Sequence, residues 1–110
     1  MANQANKTDK IVLIDGTEID AKPLKISLLK PFMEKFAEMA AVSDDNTKSL
    51  DILLDCVQIT LQQYKPELAE DRKLLEDNID LPTMYKIIES ASGIQLADPT
   101  TIISALNNKN

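Results

Sequence analysis

The sequence contains no histidine and only one cysteine, Cys56. Without histidine, the chain lacks the commonest general base, the usual zinc ligand and the base of Ser-His and Cys-His nucleophile pairs. A single cysteine can form neither an internal disulfide nor a cysteine metal site. We therefore expect no catalytic residue, no metal and no cofactor, and we interpret the chain as a protein that is not an enzyme.

Aromatic residues and excess positive charge are also scarce. Aromatics make up 4% of the 110 residues, so the core must come from Leu, Ile, Met and Ala, which favours packed helices over a β-sandwich. Asp and Glu outnumber Lys and Arg by 18 to 12, which gives a net charge of −6. Neutralising phosphates requires clustered Lys and Arg, so this balance argues against nucleic-acid binding.

Long apolar runs are missing as well. The opening stretch MANQANKTDK is polar and lacks the apolar part of a signal peptide, and no later run approaches the length of a membrane span. The length predicts one soluble domain, and the reducing cytoplasm is the expected setting. Residues 1–9 are expected to be disordered and residues 107–110 to form a polar tail, because neither stretch has apolar periodicity.

A β-hairpin is predicted near the N-terminus. The run Ile11–Ile14 is apolar, Asp15-Gly16 is typical of a tight turn that needs a positive φ, and Ile19 resumes the apolar pattern. The predicted strands cover residues 10–15 and 17–22. A two-stranded hairpin is marginally stable alone in water, so it must pack on the rest of the chain.

Helical periodicity and capping residues predict about four to five short helices after the hairpin. The best delimited begins at Leu81, where Asp80 can cap the N-terminus and Pro82 suits the first turn, and it stops before Gly93. Ser27 is expected to cap the first helix. The predicted helices cover residues 27–41, 48–64, 67–77, 81–92 and 99–106. The predicted fold is α+β and mainly helical, a single domain over residues 10–106 with the N-terminal β-hairpin packed on the helix bundle.

The predicted helix at residues 48–64 carries two apolar stripes on nearly opposite sides. The first consists of Leu50, Leu53, Leu54, Val57, Leu61 and Tyr64, and the second of Ile52, Cys56 and Ile59. A helix that is apolar on two sides is either central in a fold or gives one side to a partner. We interpret this helix as central, with Ile52 and Ile59 as partner contacts if the second stripe is open.

Three local patterns suggest chemistry, and a simpler interpretation is favoured for each. Residues 44–46 (Asp-Asp-Asn) resemble the opening of a calcium loop, but the later glycine and glutamate are absent, so capping is favoured. Ser49 begins a Ser-Leu-Asp run like the attachment site of an acyl carrier protein, but Lys48 stands where that family has Asp. The carboxylates of residues 67–77 are mixed with bases, which indicates a solvated face.

The segment from Leu75 to Pro82 reads LEDNIDLP and introduces the helix that ends near Gly93. Together with the Asp-Gly hairpin KIVLIDGTEIDAKPL and the acidic helix SLDILLDCVQITLQQYKPEL, it resembles the tail assembly chaperones of long-tailed bacteriophages (siphoviruses and myoviruses). The resemblance spans roughly residues 10–95. It implies a small protein of the host cell cytoplasm that is absent from the mature virion.

The resemblance also implies a partner. Chaperones of this family bind the phage tape measure protein and keep its apolar helices soluble during tail assembly. Further contacts are implied with the tail tube protein, with a frameshifted longer form of the chain, and with a second copy of itself as a homo-oligomer. No catalytic residue, cofactor, nucleic acid or membrane is implied. The alternative is a virion structural protein of the tail, neck or baseplate; a DNA-mimicking inhibitor is disfavoured because the acids are interspersed with bases.

Apolar helix faces are the expected contact surface, because a holding chaperone must stay soluble while it presents apolar groups. The final predicted helix and the second stripe of the central helix supply the candidates. The candidate partner-binding residues are Ile52, Ile59, Ile102, Ile103 and Leu106.

Overall fold

The structure is a computed structural model of the chain, and it describes residues 9–94. Within this range, an antiparallel hairpin is followed by five α-helices, which confirms the predicted α+β, mainly helical class. The elements are β1 (Asp9–Val12), β2 (Glu18–Ala21), α1 (Ile26–Ala37), α2 (Asn46–Tyr64), α3 (Pro66–Ala69), α4 (Arg72–Asn78) and α5 (Leu81–Ser92). The predicted helix at residues 99–106, the polar tail and residues 1–8 lie outside the described residues.

The two strands are shorter than predicted, and residues 13–17 form the loop between them. Ile11 and Ile19 stand opposite each other in the strand register, and both are buried. After buried Leu13, the Ile14 N–H donates to the Asn78 carbonyl at 2.9 Å. The Leu13 N–H also donates to the Thr17 carbonyl at 2.8 Å, so backbone pairing continues from the strands into the loop. The Ile14 bond ties this loop to the end of α4.

The loop contains the predicted turn. Gly16 has a φ of +91°, a conformation that L side chains rarely adopt. The Asp15 carboxylate accepts a hydrogen bond from the Thr17 N–H at 3.0 Å, which closes the turn locally. Asp15-Gly16 is thus accounted for by chain reversal.

The linker between the hairpin and α1 is held by the C-terminal end of α2. The Gln63 side-chain amide donates to the Pro23 carbonyl at 3.1 Å, and its oxygen accepts from the Lys25 N–H at 2.9 Å. The Tyr64 hydroxyl donates to the Lys22 carbonyl. These bonds pair backbone groups of an irregular segment, so they fix where the hairpin lies on the helices.

The first helix differs from the prediction at both ends. It begins at Ile26 after Lys25, which offers no side-chain cap, so the expected cap at Ser27 was wrong. The α-helix ends at Ala37, and the chain continues as a 3₁₀ helix over Glu38–Val42. A face of α1 reaches the core through Phe32, which is fully buried.

Helix α2 lies at the centre of the fold, and its packing confirms that interpretation. It contacts α1, α3, α5 and β2. Its buried residues form one broad face that joins parts of both predicted stripes: Ser49, Ile52, Leu53, Cys56, Val57, Thr60 and Leu61. Leu50 is the main apolar exception, since the residue is 42% exposed.

The helix predicted at residues 67–77 is in fact two short helices, α3 and α4. They are separated because Asp71 caps α4, its carboxylate accepting from the Leu74 N–H at 3.1 Å. Leu68 and Leu75 are buried in the core, whereas Leu74 is 43% exposed.

Helix α5 has the predicted bounds, 81–92, and its end groups explain why. The Asp80 carboxylate accepts from the Thr83 N–H at 2.9 Å, Pro82 lies in the first turn, and Gly93 follows the last turn with a φ of +78°. Hydrogen bonds from Thr83 lower the pKa of Asp80 below its ordinary value.

Replacing Asp80 by alanine should lower the free energy of unfolding by about 1 kcal/mol, because α5 loses its cap. Asp80→Asn is the matched control, since asparagine keeps an acceptor oxygen and caps about as well. Urea titration of the three proteins at neutral pH measures the effect. An alanine variant as stable as the asparagine variant would contradict the capping role.

A comparison of the wild type with Asp80→Asn tests how much the negative charge of Asp80 contributes to stability. Because the folded-state pKa of Asp80 lies below 3.8, its charge stabilises the fold above that pH, and the contribution is lost as the pH falls through the lowered value. The stability advantage of the wild type over Asp80→Asn should therefore shrink below a pH of about 4. An advantage that grows on acidification would show that the sign is wrong.

Candidate binding groove

An apolar groove of about 430 Å³ lies where α2, α4 and α5 meet. The residues that line it lie within these helices or next to a helix end. The apolar lining residues are Leu50, Leu54, Ile79, Leu81 and Met84. Met84 is nearly buried, whereas the others are partly or substantially exposed, so the groove has an apolar floor that opens to solvent.

The rest of the lining is polar and largely acidic. It consists of Thr47, Asp51, Glu76 and Asp80, all of them exposed. Within the described part of the chain, the groove is therefore lined by three carboxylates and by no Lys or Arg.

The LEDNIDLP segment builds one wall of this groove. Ile79 and Leu81 of the segment line it, while Leu75 points into the core and is fully buried. Asn78 is buried too, and its side-chain amide donates to the Leu74 carbonyl at 3.0 Å. The Asn78 carbonyl is the group that accepts from the hairpin at Ile14. The segment thus joins the core, the hairpin and the groove within eight residues.

Arg72 fixes the distance between α4 and α2 beside the groove. Its Nη1 donates to the Asp55 carboxylate and to the Gln58 side-chain oxygen, both at 2.7 Å. Its Nε donates to Glu76 at 2.9 Å, and Nη2 lies 3.6 Å from the Asp51 carboxylate. A planar guanidinium with several fixed donors suits such cross-linking better than the single flexible ammonium of lysine.

The mixed charges of residues 67–77 had suggested a solvated face. Arg72 instead belongs to a wider network of ion pairs. Only 31% of its side chain is exposed. Asp55 also lies 3.6 Å from the Lys35 ammonium, which brings α1 into the network. The (i, i+4) spacing of Arg72 and Glu76 was visible in the sequence. The contacts of Arg72 with α2 join residues on either side of a chain reversal, and no local sequence pattern predicts them.

Cys56 is not a reactive group in this fold. Its side chain is fully buried, and burial raises the pKa of the thiol to about 12. A thiol with that pKa remains protonated at neutral pH, and the thiolate is the nucleophilic form. Cys56 therefore acts as a small apolar core residue.

The other chemical patterns also have structural roles. The Ser49 hydroxyl is buried and donates to the Val42 carbonyl at 3.0 Å, which contradicts an acyl attachment site. Asp45 caps α2 by accepting from the Lys48 N–H at 3.0 Å, the role that was favoured for residues 44–46. Among residues 9–94, no group of three or more His, Cys, Asp or Glu side chains is placed to hold a metal ion. No described helix is long and apolar enough to cross a membrane.

Of the sequence-predicted contact residues, the two that the structure describes do not line the groove. Ile52 is only 7% exposed and belongs to the core, and Ile59 is partly buried against it, so the second stripe of α2 is not an open surface. Ile102, Ile103 and Leu106 lie outside the described residues. Sequence reasoning missed the groove because its apolar residues follow ordinary helical spacing and were assigned to the core.

The sequence that forms the hairpin, the helices and the groove matches a family model. The chain matches the family model described as Rubisco LSMT substrate-binding over residues 11–91, from β1 to the end of α5. The match spans most of the chain, and the protein belongs to this family. Searches of curated proteins and of solved structures found no match.

Substitution of Arg72 by alanine should lower the free energy of unfolding by about 1–2 kcal/mol, because half-buried carboxylate and amide partners lose charge-assisted hydrogen bonds. Lys73→Ala is the matched control. Lys73 is 88% exposed and lies 3.9 Å from Asp77, so its loss should change stability by less than about 0.5 kcal/mol. Equal effects in a denaturant titration would show that the Arg72 network does not hold α4 in place.

Cys56 should resist thiol reagents while the protein is folded. Labelling by a disulfide reagent at a pH of about 8 should be roughly 1,000-fold slower in buffer than in denaturant, because only transiently opened molecules react. The chain has one cysteine, so the signal is unambiguous. Fast stoichiometric labelling of the folded protein would contradict the buried position.

Proposed function

We propose that this protein is a phage tail assembly chaperone, which binds the tape measure protein through the groove between α2, α4 and α5 and keeps its apolar helices soluble. The observation that carries the proposal is the composition of the groove wall. The LEDNIDLP segment, which carries the resemblance to these chaperones, supplies Glu76, Ile79, Asp80 and Leu81 to the lining.

Three further features support a binding role. The groove is open and apolar, a combination that marks interaction sites on soluble proteins. The only cysteine is buried and protonated, so no nucleophile is offered by that side chain. The family description names substrate binding, which is compatible with a domain that holds another molecule. The protein in this proposal acts in the host cytoplasm without catalysis of its own, and it leaves before the virion is complete.

Co-expression with the tape measure protein of the same phage tests the proposal. The wild type should keep the tape measure soluble, and Leu50→Asp or Leu81→Asp should lose most of that effect. Binding would then bury an unpaired carboxylate against the apolar face of the helix, which is unfavourable. Ile26→Asp is the matched control, since Ile26 is 63% exposed on α1 and does not line the groove. All variants should first be shown to be folded by circular dichroism.

A soluble tape measure with every groove variant would contradict the proposed surface. If Ile103→Asp with Leu106→Asp were the pair that lost activity, the C-terminal candidates would carry the contact in place of the groove. A tape measure that stays insoluble with the wild type would contradict the chaperone function itself. Recovery of the chain from purified virions in fixed stoichiometry would favour the alternative, a structural protein of the tail, neck or baseplate.

The family match favours a second candidate. In this second function, the domain binds a polypeptide that a methyltransferase then modifies. The family description, Rubisco LSMT substrate-binding, refers to such a domain of a methyltransferase. Mass spectrometry of the bound polypeptide distinguishes the two, because a substrate-recruiting domain should increase its methylation when the enzyme is present. A chaperone should leave the bound chain unmodified.

A further inference from the structure

The walls of the groove define the backbone conformation of what they can bind. They are formed by α2, by α4, by α5 and by the link between α4 and α5, so the lining is made of side chains. Helices pair their own backbone groups, and the part of the lining that the structure describes presents no strand edge to an incoming chain. An extended peptide would bury unpaired N–H and C=O groups there, whereas a helix satisfies its own. An amphipathic helix is therefore the better occupant.

The rim defines the charge of that helix. Asp51, Glu76 and Asp80 surround the apolar floor. Arg72 lies beside Asp51 and Glu76 and is also shared with Asp55, so one guanidinium faces three carboxylates. Asp80 accepts from the Thr83 N–H, and Lys86 is the one cation that acts on its pKa, as the smallest of the causes, so its negative charge remains. The rim is therefore negative around an apolar floor.

We propose that the groove binds one amphipathic helix of a partner polypeptide, whose apolar face is flanked by Lys or Arg side chains that meet Asp51, Glu76 and Asp80. This inference rests on the proposed function and specifies the segment that such a chaperone would select. Charge complementarity at a rim contributes mainly to selectivity and association rate, while the apolar floor supplies most of the affinity.

Synthetic peptides provide the test. The first probe is an amphipathic peptide of about 18 residues with leucines at helical spacing and lysines beside them, long enough to form a helix on binding. The second has glutamate in place of each lysine, and the third is the lysine peptide with a central proline that breaks the helix. Binding to the full chain is measured by fluorescence anisotropy, at ionic strengths of about 0.05 M and about 0.5 M.

The lysine peptide should bind about tenfold more tightly than the glutamate peptide at low salt, as expected for several exposed ion pairs, and the difference should shrink at high salt. The proline peptide should bind weakly. The double variant Asp51→Asn with Asp80→Asn should lose the preference, since asparagine keeps the α5 cap while the rim charge falls. Asp20→Asn with Asp44→Asn, exposed positions outside the groove lining, makes the same change in net charge and should keep the preference.

Several results would overturn the inference. They are equal binding of the two charged peptides, an equal loss of preference in both double variants, full binding of the proline peptide, or no peptide binding at all. A homodimer in analytical ultracentrifugation that Leu50→Asp dissociates would mean that a second copy fills the groove. In each of these cases the co-expression experiment remains the separate test of the chaperone function.

Discussion

The fold depends on the burial of one broad face of α2. That face is too wide for a single neighbouring element to cover. Seven of its residues are buried, and they include polar Ser49 and Thr60, whose hydroxyls donate to backbone carbonyls. Helices α1, α3 and α5 and strand β2 all contact it. A chain with four aromatic residues must build its core from aliphatic side chains on helices, and α2 is the element around which they assemble.

Among the described residues 9–94, the same helix leaves one end of its apolar surface uncovered. Near Leu50 and Leu54 the covering elements stand apart, and the groove opens between α2 and the start of α5. Arg72 holds α4 at this place through Asp55 and Gln58, so the groove has a defined wall. Structural burial and the proposed binding surface are therefore two parts of one helix.

Much of the fold could be predicted from local signals, and much of the groove could not. The bounds of α5 follow from Asp80, Pro82 and Gly93, which act within a few residues of themselves. The break between α3 and α4 was missed because a capping aspartate inside a charged run looks like any other surface acid. The contacts of Gln63 with the linker and of Arg72 with α2 join residues distant in sequence. A helical stripe shows which residues are apolar, but only the arrangement of neighbouring helices decides which of them stay uncovered.

Methyl NMR spectra recorded while a tape measure fragment is added would show whether the groove is the binding surface. On binding, the methyl signals of the groove should shift or broaden, namely those of Leu50, Leu54, Ile79, Leu81 and Met84. Signals from Ile11 and Ile19, buried in the hairpin outside the groove lining, should stay in place. Shifts confined to other surfaces, with the groove signals unchanged at saturation, would contradict it.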